Sequence, residues 1–256
     1  MTATRTEAQK TMTPRTLRRW EEEDRIAYMG LPSDPNEVEE VRNVPLLRGY
    51  VHLILSVASP FLVLWLCLSV INVQYIAEYA LSFTCCILNF ASSTFVHFTP
   101  SKGIAYDLSL KMDYACIFLM IGGSGLPGVV AAAKSDTSIA FILLQWIGIT
   151  MGVIGSCVSN FVTTSSPLRV FIYFSLGFPY VIISHTLYHI KCFAGVISIV
   201  ASLALYGAGG IIYAYKAPNP LPYYVGFHEV FHLCCAMAVA CTVIGSHKIT
   251  TFVNAT

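Results

Sequence analysis

The stretch FAGVISIVASLALYGAGGIIY, residues Phe193–Tyr213, contains no charged side chain. About 20 mainly apolar residues are enough for a helix to cross the hydrocarbon core of a bilayer. Since that core offers no water to the backbone, a crossing segment must bond its own amide and carbonyl groups, which favours an α-helix. Phe193–Tyr213 is therefore predicted to be a transmembrane helix.

Further stretches share this composition, so the sequence predicts an all-α membrane protein, a bundle of seven transmembrane helices. Short polar stretches, several of them with Gly or Pro, separate the spans. Pro60, Pro127 and Pro179 fall inside spans, where a proline kinks a helix locally. The predicted spans run approximately over Gly49–Ile71, Tyr75–Phe98, Leu110–Ala133, Ser138–Cys157, Leu168–Tyr188, Phe193–Tyr213 and Tyr224–Gly245.

The composition supports this class and excludes several others. Hydrophobic residues make up 55% of the chain and charged residues only 11%, whereas a soluble domain carries about 25% charged residues. The net charge of +1 leaves no basic surplus that would favour nucleic acid. The 9 cysteines include no CxxC pair and lie mostly in apolar runs. They are typical of small buried side chains, and do not indicate a disulfide framework or a thiolate metal site.

Charged side chains concentrate at the start of the chain. The first 48 residues hold 8 of the 15 Lys and Arg residues and 9 of the 14 Asp and Glu residues. This predicts a polar arm (1–48), a membrane domain (49–246) and a short C-terminal tail (247–256). Thr13, Pro14 and Gly30 indicate one short helix within the arm. Because Lys and Arg favour the cytoplasmic side of membranes, we predict a cytoplasmic N-terminus and an extracellular or lumenal C-terminus.

Polar residues near the ends of three spans carry the functional hypothesis, because ionisable groups inside a membrane are costly and usually functional. Ser93 and His97 are four residues apart, as are His228 and His232, so each pair shares one helix face. Asp113 lies near the start of the third predicted span. In the predicted topology, His97, Asp113 and the His228–His232 pair lie at a similar depth near the cytoplasmic leaflet.

Three imidazoles and a carboxylate at one depth predict a metal site. A tetrahedral zinc ion with three histidine ligands keeps one position open for a water, whose pKa falls to about 7. Asp113 is then expected to orient or deprotonate that water, and Ser93 to support a ligand or the substrate. The alternative is that each residue is a solitary polar group that hydrogen-bonds between helices.

The other histidines are interpreted differently. His185 and His189 are also four residues apart, but the predicted topology places them and His247 toward the outer side. We expect these side chains to lie at the membrane interface. His52 lies near the start of the first predicted span, on the inner side. Two interpretations stay open for it, a contact to the metal site or a role at the membrane interface, and the second is favoured.

The segment His228-Glu229-Val230-Phe231-His232 also matches the H-E-x-x-H motif of soluble metalloproteases, in which the glutamate is a general base. The only histidine downstream is His247, about four helical turns beyond His232, and it cannot reach the same ion. The peptidase interpretation is therefore weak, and the role of Glu229 stays open at this point.

At these residues the chain resembles the progestin and adiponectin receptor family together with the bacterial hemolysin III proteins. The resemblance covers about Gly49 to Ser246, which is essentially all of the predicted spans. The matching stretches are Ser93-Thr94-Phe95-Val96-His97, Met112-Asp113-Tyr114 running on to Gly123-Ser124-Gly125-Leu126-Pro127, Tyr206-Gly207 to Tyr213 followed by Pro218, and Gly226-Phe227-His228-Glu229-Val230-Phe231-His232-Leu233.

This resemblance implies a seven-helix bundle with a cytoplasmic N-terminus. It implies that His97, His228 and His232 are zinc ligands, that Asp113 acts on the zinc-bound water, and that Ser93 lies beside the site. The wider superfamily includes alkaline ceramidases, which implies a lipid amide as a class of substrate.

The sequence leaves two functions open. The first is a zinc-dependent hydrolase of a lipid amide or ester, for which a ceramide-like membrane lipid is the expected partner. The second is a receptor or regulator of membrane lipid homeostasis in which zinc is structural. A retinal protein is disfavoured because Lys248 lies beyond the last predicted span, whereas a transporter is harder to exclude.

Overall fold

The protein is described from a computed structural model, which covers residues 47, 49–50, 52–58, 61, 73–99, 104–133, 135–158, 161, 164–221 and 224–256. The chain separates into two units, Met1–Leu46 and Leu47–Thr256, and the described residues belong to the second. The predicted arm, with its helix between Thr13 and Gly30, lies outside the described residues except at Leu47. Most of the first predicted span, including Pro60, lies outside them as well.

The described residues form helices and no strand, in agreement with the predicted all-α class. A leading segment, residues 47–58 where described, is helical over 52–58, and a short 3-10 helix, Val73–Tyr75, comes before the longer elements. We number these α1 Ile76–Phe98, α2 Ile104–Gly123, α3 Leu126–Ala132, α4 Asp136–Val158, α5 Ser166–Leu176, α6 Phe178–His189, α7 Phe193–Tyr215 and α8 Phe227–Ala255.

These helices provide 6 segments that are long and apolar enough to cross a membrane. They are α1, α2 with α3, most of α4, α5 with α6, α7 and α8, and they correspond to the second through seventh predicted spans. Large apolar side chains lie exposed along them, among them Phe171 in α5 and Ile197 in α7. Exposed apolar surface of this kind suits a lipid environment.

Two helices extend beyond their predicted spans. The third span begins at Ile104, ahead of the predicted Leu110, so Asp113 lies well inside α2. The seventh begins at Phe227 and continues past the predicted Gly245 to Ala255, so the residues predicted to form a tail are helical except Thr256. Hydropathy detects only the apolar centre of a span. Packing can stabilise a helix beyond that centre, and Ile249, in the extended part of α8, packs in the apolar core.

Two of the predicted kinks are breaks between consecutive helices. Ser124 and Gly125 separate α2 from α3, and Gly177 separates α5 from α6. Pro127 and Pro179 then stand in the first turn of α3 and α6, where a proline loses no hydrogen bond.

Neighbouring side chains satisfy the backbone at the break between α2 and α3. The Ser82 hydroxyl donates to the Ser124 carbonyl at 3.0 Å, and the Ser246 hydroxyl donates to the Gly125 carbonyl at 3.3 Å. The Tyr180 hydroxyl donates to the Ile121 carbonyl at 2.9 Å. Irregular backbone at membrane depth is tolerated when protein groups pair with it in this way.

The helices pack so that α8 lies against α7 and α3, while α1 lies against α2 and α3. The approach of α3 to α8 is close, since a Cβ added at Gly128 would lie 2.9 Å from the Ser246 Cα. This packing places the end of α1, at Phe98, beside the start of α8, at Phe227, and this end of the bundle holds the candidate site.

Candidate metal centre

Three histidines meet where α1 ends and α8 begins. Each of His97, His228 and His232 offers one ring nitrogen, and these atoms all lie within 4.8 Å of one another. The Nε2 atoms of His97 and His228 are 3.3 Å apart. The rings meet nearly at right angles, with interplanar angles of 88° for His97 and His228, 85° for His97 and His232, and 77° for His228 and His232.

One pair of these nitrogens has the spacing expected of two ligands on a tetrahedral metal ion. Zinc binds imidazole nitrogens at about 2.0–2.1 Å, so two ligands of a tetrahedral ion lie about 3.3–3.4 Å apart. The observed separation between the His97 and His228 nitrogens agrees with that spacing. The prediction that His97, His228 and His232 come together is confirmed, and the group has the composition of a site that could hold a metal ion.

The local structure of α8 explains why two of these histidines point the same way. Gly226 precedes the helix in an extended conformation, and its amide donates to the Glu229 carboxylate at 2.7 Å. The next amide, of Phe227, donates to the Asn219 side-chain oxygen at 2.8 Å. With these amide groups of the first turn satisfied, α8 begins at Phe227, and His228 and His232 lie one turn apart on one face.

The same observation gives Glu229 a role that the sequence left open. Its side chain is buried and accepts the hydrogen bond from the Gly226 amide at the start of its own helix. A negatively charged group is favourable at a helix N-terminus. The geometry therefore makes Glu229 a helix cap.

Asp113 and Ser93 lie together, outside the group of three histidines. The Ser93 hydroxyl is within hydrogen-bonding reach of the Asp113 carboxyl group. Ser93 is buried on α1, one helical turn before His97. Helix α2 thus brings its carboxyl group to the face of α1 that carries His97, and the predicted action of Asp113 on a metal-bound water stays a prediction.

A buried arginine that the sequence did not single out lies on another side of this region. One Arg169 nitrogen donates to the Tyr213 hydroxyl at 3.2 Å, and another donates to the Thr164 carbonyl. The guanidinium group also lies 5.0 Å from the centre of the Tyr114 ring. The Tyr213 ring lies 6.1 Å from the His228 ring, so these residues connect the start of α5 to the histidines.

The sequence of this chain matches the family described as haemolysin-III related over residues 41–243. The protein belongs to the haemolysin-III related family. The match runs from the end of the predicted arm into α8 and includes all three clustered histidines. With 6 apolar spans among its described residues, this haemolysin-III related protein is an integral, multi-pass membrane protein.

His52, for which the sequence favoured an interfacial role and left a contact to the site open, makes that contact. In this haemolysin-III related protein the His52 side chain is only 4% exposed, and its Nε2 lies 2.5 Å from the His232 Nδ1. The two rings are 4.0 Å apart between centroids. The sequence signal was weak, because one histidine at the start of a span has no partner at helical spacing. Only the packing of the leading segment against α8 reveals the contact.

The second histidine pair is separate from the group of three histidines. His185 and His189 contact each other near the end of α6, with their Nε2 atoms 3.1 Å apart, and both side chains are exposed. Among the described residues they are not part of the metal-binding group. This agrees with the prediction that they do not join His97, His228 and His232.

Proposed function

We propose that this protein is a zinc-dependent hydrolase that cleaves an amide or ester bond in a membrane lipid, with a ceramide-like lipid as the expected substrate. The observation that carries this proposal is the group of three imidazoles, with nitrogens within 4.8 Å, in a multi-pass membrane protein. Membership of the haemolysin-III related family is compatible with it. The family resemblance of the sequence adds support, because it implies a wider superfamily that includes alkaline ceramidases.

The chemistry is divided between the metal and the chain. A zinc ion held by three histidines supplies a Lewis acid and a water of pKa about 7. His97, His228 and His232 would hold the ion. Asp113 is proposed to take the proton from the attacking water and return it to the leaving group. Ser93, within reach of the Asp113 carboxyl group, is proposed to orient it.

A lipid substrate suits the surroundings of the three histidines. Phe95 and Phe98, on either side of His97, are 58% and 49% exposed. Leu233, next to His232, is 51% exposed. Apolar side chains directed outward beside the site offer a surface along which an acyl chain can approach from the bilayer. The site is therefore proposed to be reached laterally, between helices.

The proposal includes the topology predicted from the charge distribution. The N-terminal arm is proposed to be cytoplasmic, the metal centre to lie near the cytoplasmic leaflet, and the C-terminus to be extracellular or lumenal. Protease protection of an epitope tag placed after Thr256 in sealed vesicles tests this. A tag that is cleaved from the cytoplasmic side contradicts it.

A second function, a receptor or regulator of membrane lipids with a structural zinc, has one observation in its favour. The histidines join three parts of the chain, because His97 belongs to α1, His228 and His232 belong to α8, and His52 belongs to the leading segment. A metal at such a junction would fasten these helices together whether or not it catalyses a reaction.

Substitution of Asp113 separates the two functions. We expect Asp113→Asn to retain zinc and fold normally, while hydrolysis of lipid amides and esters falls by about 10²–10⁴-fold because a proton-transfer group is lost. The matched control is Asp107→Asn, since Asp107 lies on the same helix and is exposed. Purified wild-type protein that holds zinc and cleaves no member of a lipid panel favours the structural role. Turnover that survives complete removal of metal excludes the proposed hydrolase.

A further inference from the structure

His52 lies outside the three-histidine group and contacts one of its members directly. Its Nε2 lies 2.5 Å from the Nδ1 of His232, which is within hydrogen-bonding distance. The two residues are 180 positions apart, and the contact is buried. It joins the leading segment to α8 at a ring nitrogen of a proposed ligand.

The chemistry of imidazole decides what this contact does. A histidine binds a metal through one neutral ring nitrogen, and its other nitrogen carries the proton. His52 occupies the Nδ1 side of His232, so Nε2 is the atom that His232 can direct at a metal. The proton then lies on His232 Nδ1, which donates to His52 Nε2. Such partners fix the tautomer and ring orientation of metal ligands.

Three contacts hold the leading segment and the His52 ring in place. The His52 ring meets the Phe90 ring of α1 edge-on, with 5.7 Å between centroids and an interplanar angle of 67°. The Ser56 hydroxyl donates to the His52 carbonyl at 2.7 Å and lies 3.0 Å from the Thr94 hydroxyl. The acceptor nitrogen is therefore anchored to the same helix that carries His97.

We propose that His52 is a positioning residue, which accepts a hydrogen bond from His232 and thereby presents the His232 Nε2 to the metal. This inference rests on the metal centre of the proposed function, but it does not depend on hydrolysis. The proposed role of His52 means that the leading segment also contributes to metal binding, although it supplies none of the three proposed ligands.

The test compares two substitutions of similar size. His52→Gln keeps an acceptor oxygen near the position of Nε2, whereas His52→Leu fills the buried space without an acceptor. Zinc affinity is measured by competition with a chromophoric chelator in detergent-purified full-length protein. We expect His52→Leu to bind zinc about 10–100-fold more weakly than wild type, and His52→Gln to recover most of that loss. The control is His185→Leu, at the exposed pair on α6, and it should bind zinc as wild type does.

Cobalt substitution supplies a readout of ligand geometry. Co²⁺ in a tetrahedral site gives visible absorption bands that depend on the orientation of its ligands. His52→Leu should shift or weaken these bands, and His52→Gln should keep them near their wild-type positions. Equal zinc affinity and identical cobalt spectra in the two variants would overturn the proposal.

A measurement on the wild type covers the case in which either variant fails to fold. Zinc-loaded protein labelled with ¹⁵N-histidine should show a slowly exchanging proton on His232 Nδ1 and a coupling across the hydrogen bond to His52 Nε2. A His232 that carries its proton on Nε2 in the zinc-loaded protein refutes the inference. Since these experiments report metal binding alone, a protein that passes them but cleaves no lipid refutes only the hydrolase.

Discussion

The two ends of α8 lie in different surroundings. Near its start, in what we call the histidine end, His228 and His232 face His97 and His52, and several of the ring nitrogens lie close to one another. Toward its finish, in what we call the apolar end, Ile249 belongs to a buried cluster with Ala132, Ile183 and Leu187. One helix thus connects an imidazole cluster to a tightly packed apolar core.

The polar groups at the apolar end are satisfied locally. The Thr250 hydroxyl donates to the Ser246 carbonyl at 3.0 Å and lies 2.9 Å from the Tyr79 hydroxyl. The histidine end differs, because its rings direct nitrogens at one another, and buried nitrogen lone pairs are costly unless a proton or a metal lies between them. The comparison teaches that a metal should stabilise the histidine end, whereas packing alone stabilises the apolar end.

The largest effect is expected when a ligand is removed from the histidine end. Wild-type protein should contain about one zinc per chain, and His97→Ala or His228→Ala should each abolish stoichiometric zinc and all lipid turnover. Elemental analysis of detergent-purified protein measures this directly. His185→Ala, which removes a histidine of the exposed pair, should keep its zinc. Retention of one zinc per chain by His97→Ala would mean that the histidines of α1 and α8 do not form one site.

The apolar end should respond to the loss of volume and not to the loss of metal. Leu187 is completely buried in that cluster, so Leu187→Ala is expected to lower the free energy of unfolding by about 2–5 kcal/mol. The loss should be the same with zinc and with a chelator. Unfolding in detergent, followed by circular dichroism under both conditions, checks this. A loss that depends on zinc would show that the two ends are coupled through α8.

Gly49 tests how closely the leading segment is fitted to the histidine end. It has a φ of +85°, and an added Cβ would lie 2.7 Å from the His97 Cβ. Gly49→Ala therefore meets both backbone strain and a clash, with an expected cost of about 1–3 kcal/mol. Zinc affinity should fall as well, because His97 is displaced.

The matched control for this substitution is Gly155→Ala in α4. Among the described residues, no atom beyond its chain neighbours and the backbone of its own helix lies within 4 Å of a Cβ added there, so the alanine should be tolerated and should leave zinc affinity unchanged. Both variants are compared by chelator competition and by thermal unfolding. A Gly49→Ala protein that matches the Gly155→Ala protein in both assays would show that the leading segment is loosely held.

The smallest effect is expected at Glu229. Because its carboxylate caps α8, Glu229→Ala should cost about 0.5–2 kcal/mol of stability. Glu229→Gln keeps an acceptor for the Gly226 amide and should cost less. Both variants should retain zinc and lipid turnover. If Glu229→Gln holds zinc and folds but loses turnover, the glutamate takes part in catalysis and the cap is not its only role.

The accuracy of the sequence predictions depends on the range over which each signal acts. Hydropathy located six of the predicted spans, because about 20 successive apolar residues are a local property. It did not include the start of α2 or the end of α8, where polar residues such as Asp107 and Lys248 continue the helix. Those boundaries depend on packing between helices, which a sliding count of apolar residues does not contain.

In the candidate site, too, the sequence predicted the features that depend on local spacing and not those that depend on packing. The sequence alone determined that Ser93 and His97 share one face of a helix, as do His228 and His232, because helical periodicity places residues four apart on the same side. It also predicted that these pairs lie at one depth, since alternate spans run in opposite directions. For His52 the sequence only left a contact to the site open, because no helical periodicity links it to His232.

Only the tertiary structure decided the remaining features. The contact between His52 and His232 depends on how the leading segment packs between α1 and α8. The role of Glu229 as a cap depends on where α8 begins, and the break at Ser124 and Gly125 persists because Ser82 and Ser246 satisfy its carbonyls. Some of these features pair groups that are distant in the sequence. The others depend on where a helix begins or ends. The physical reason is that hydrogen bonds act over about 3 Å, and only packing brings such groups that close.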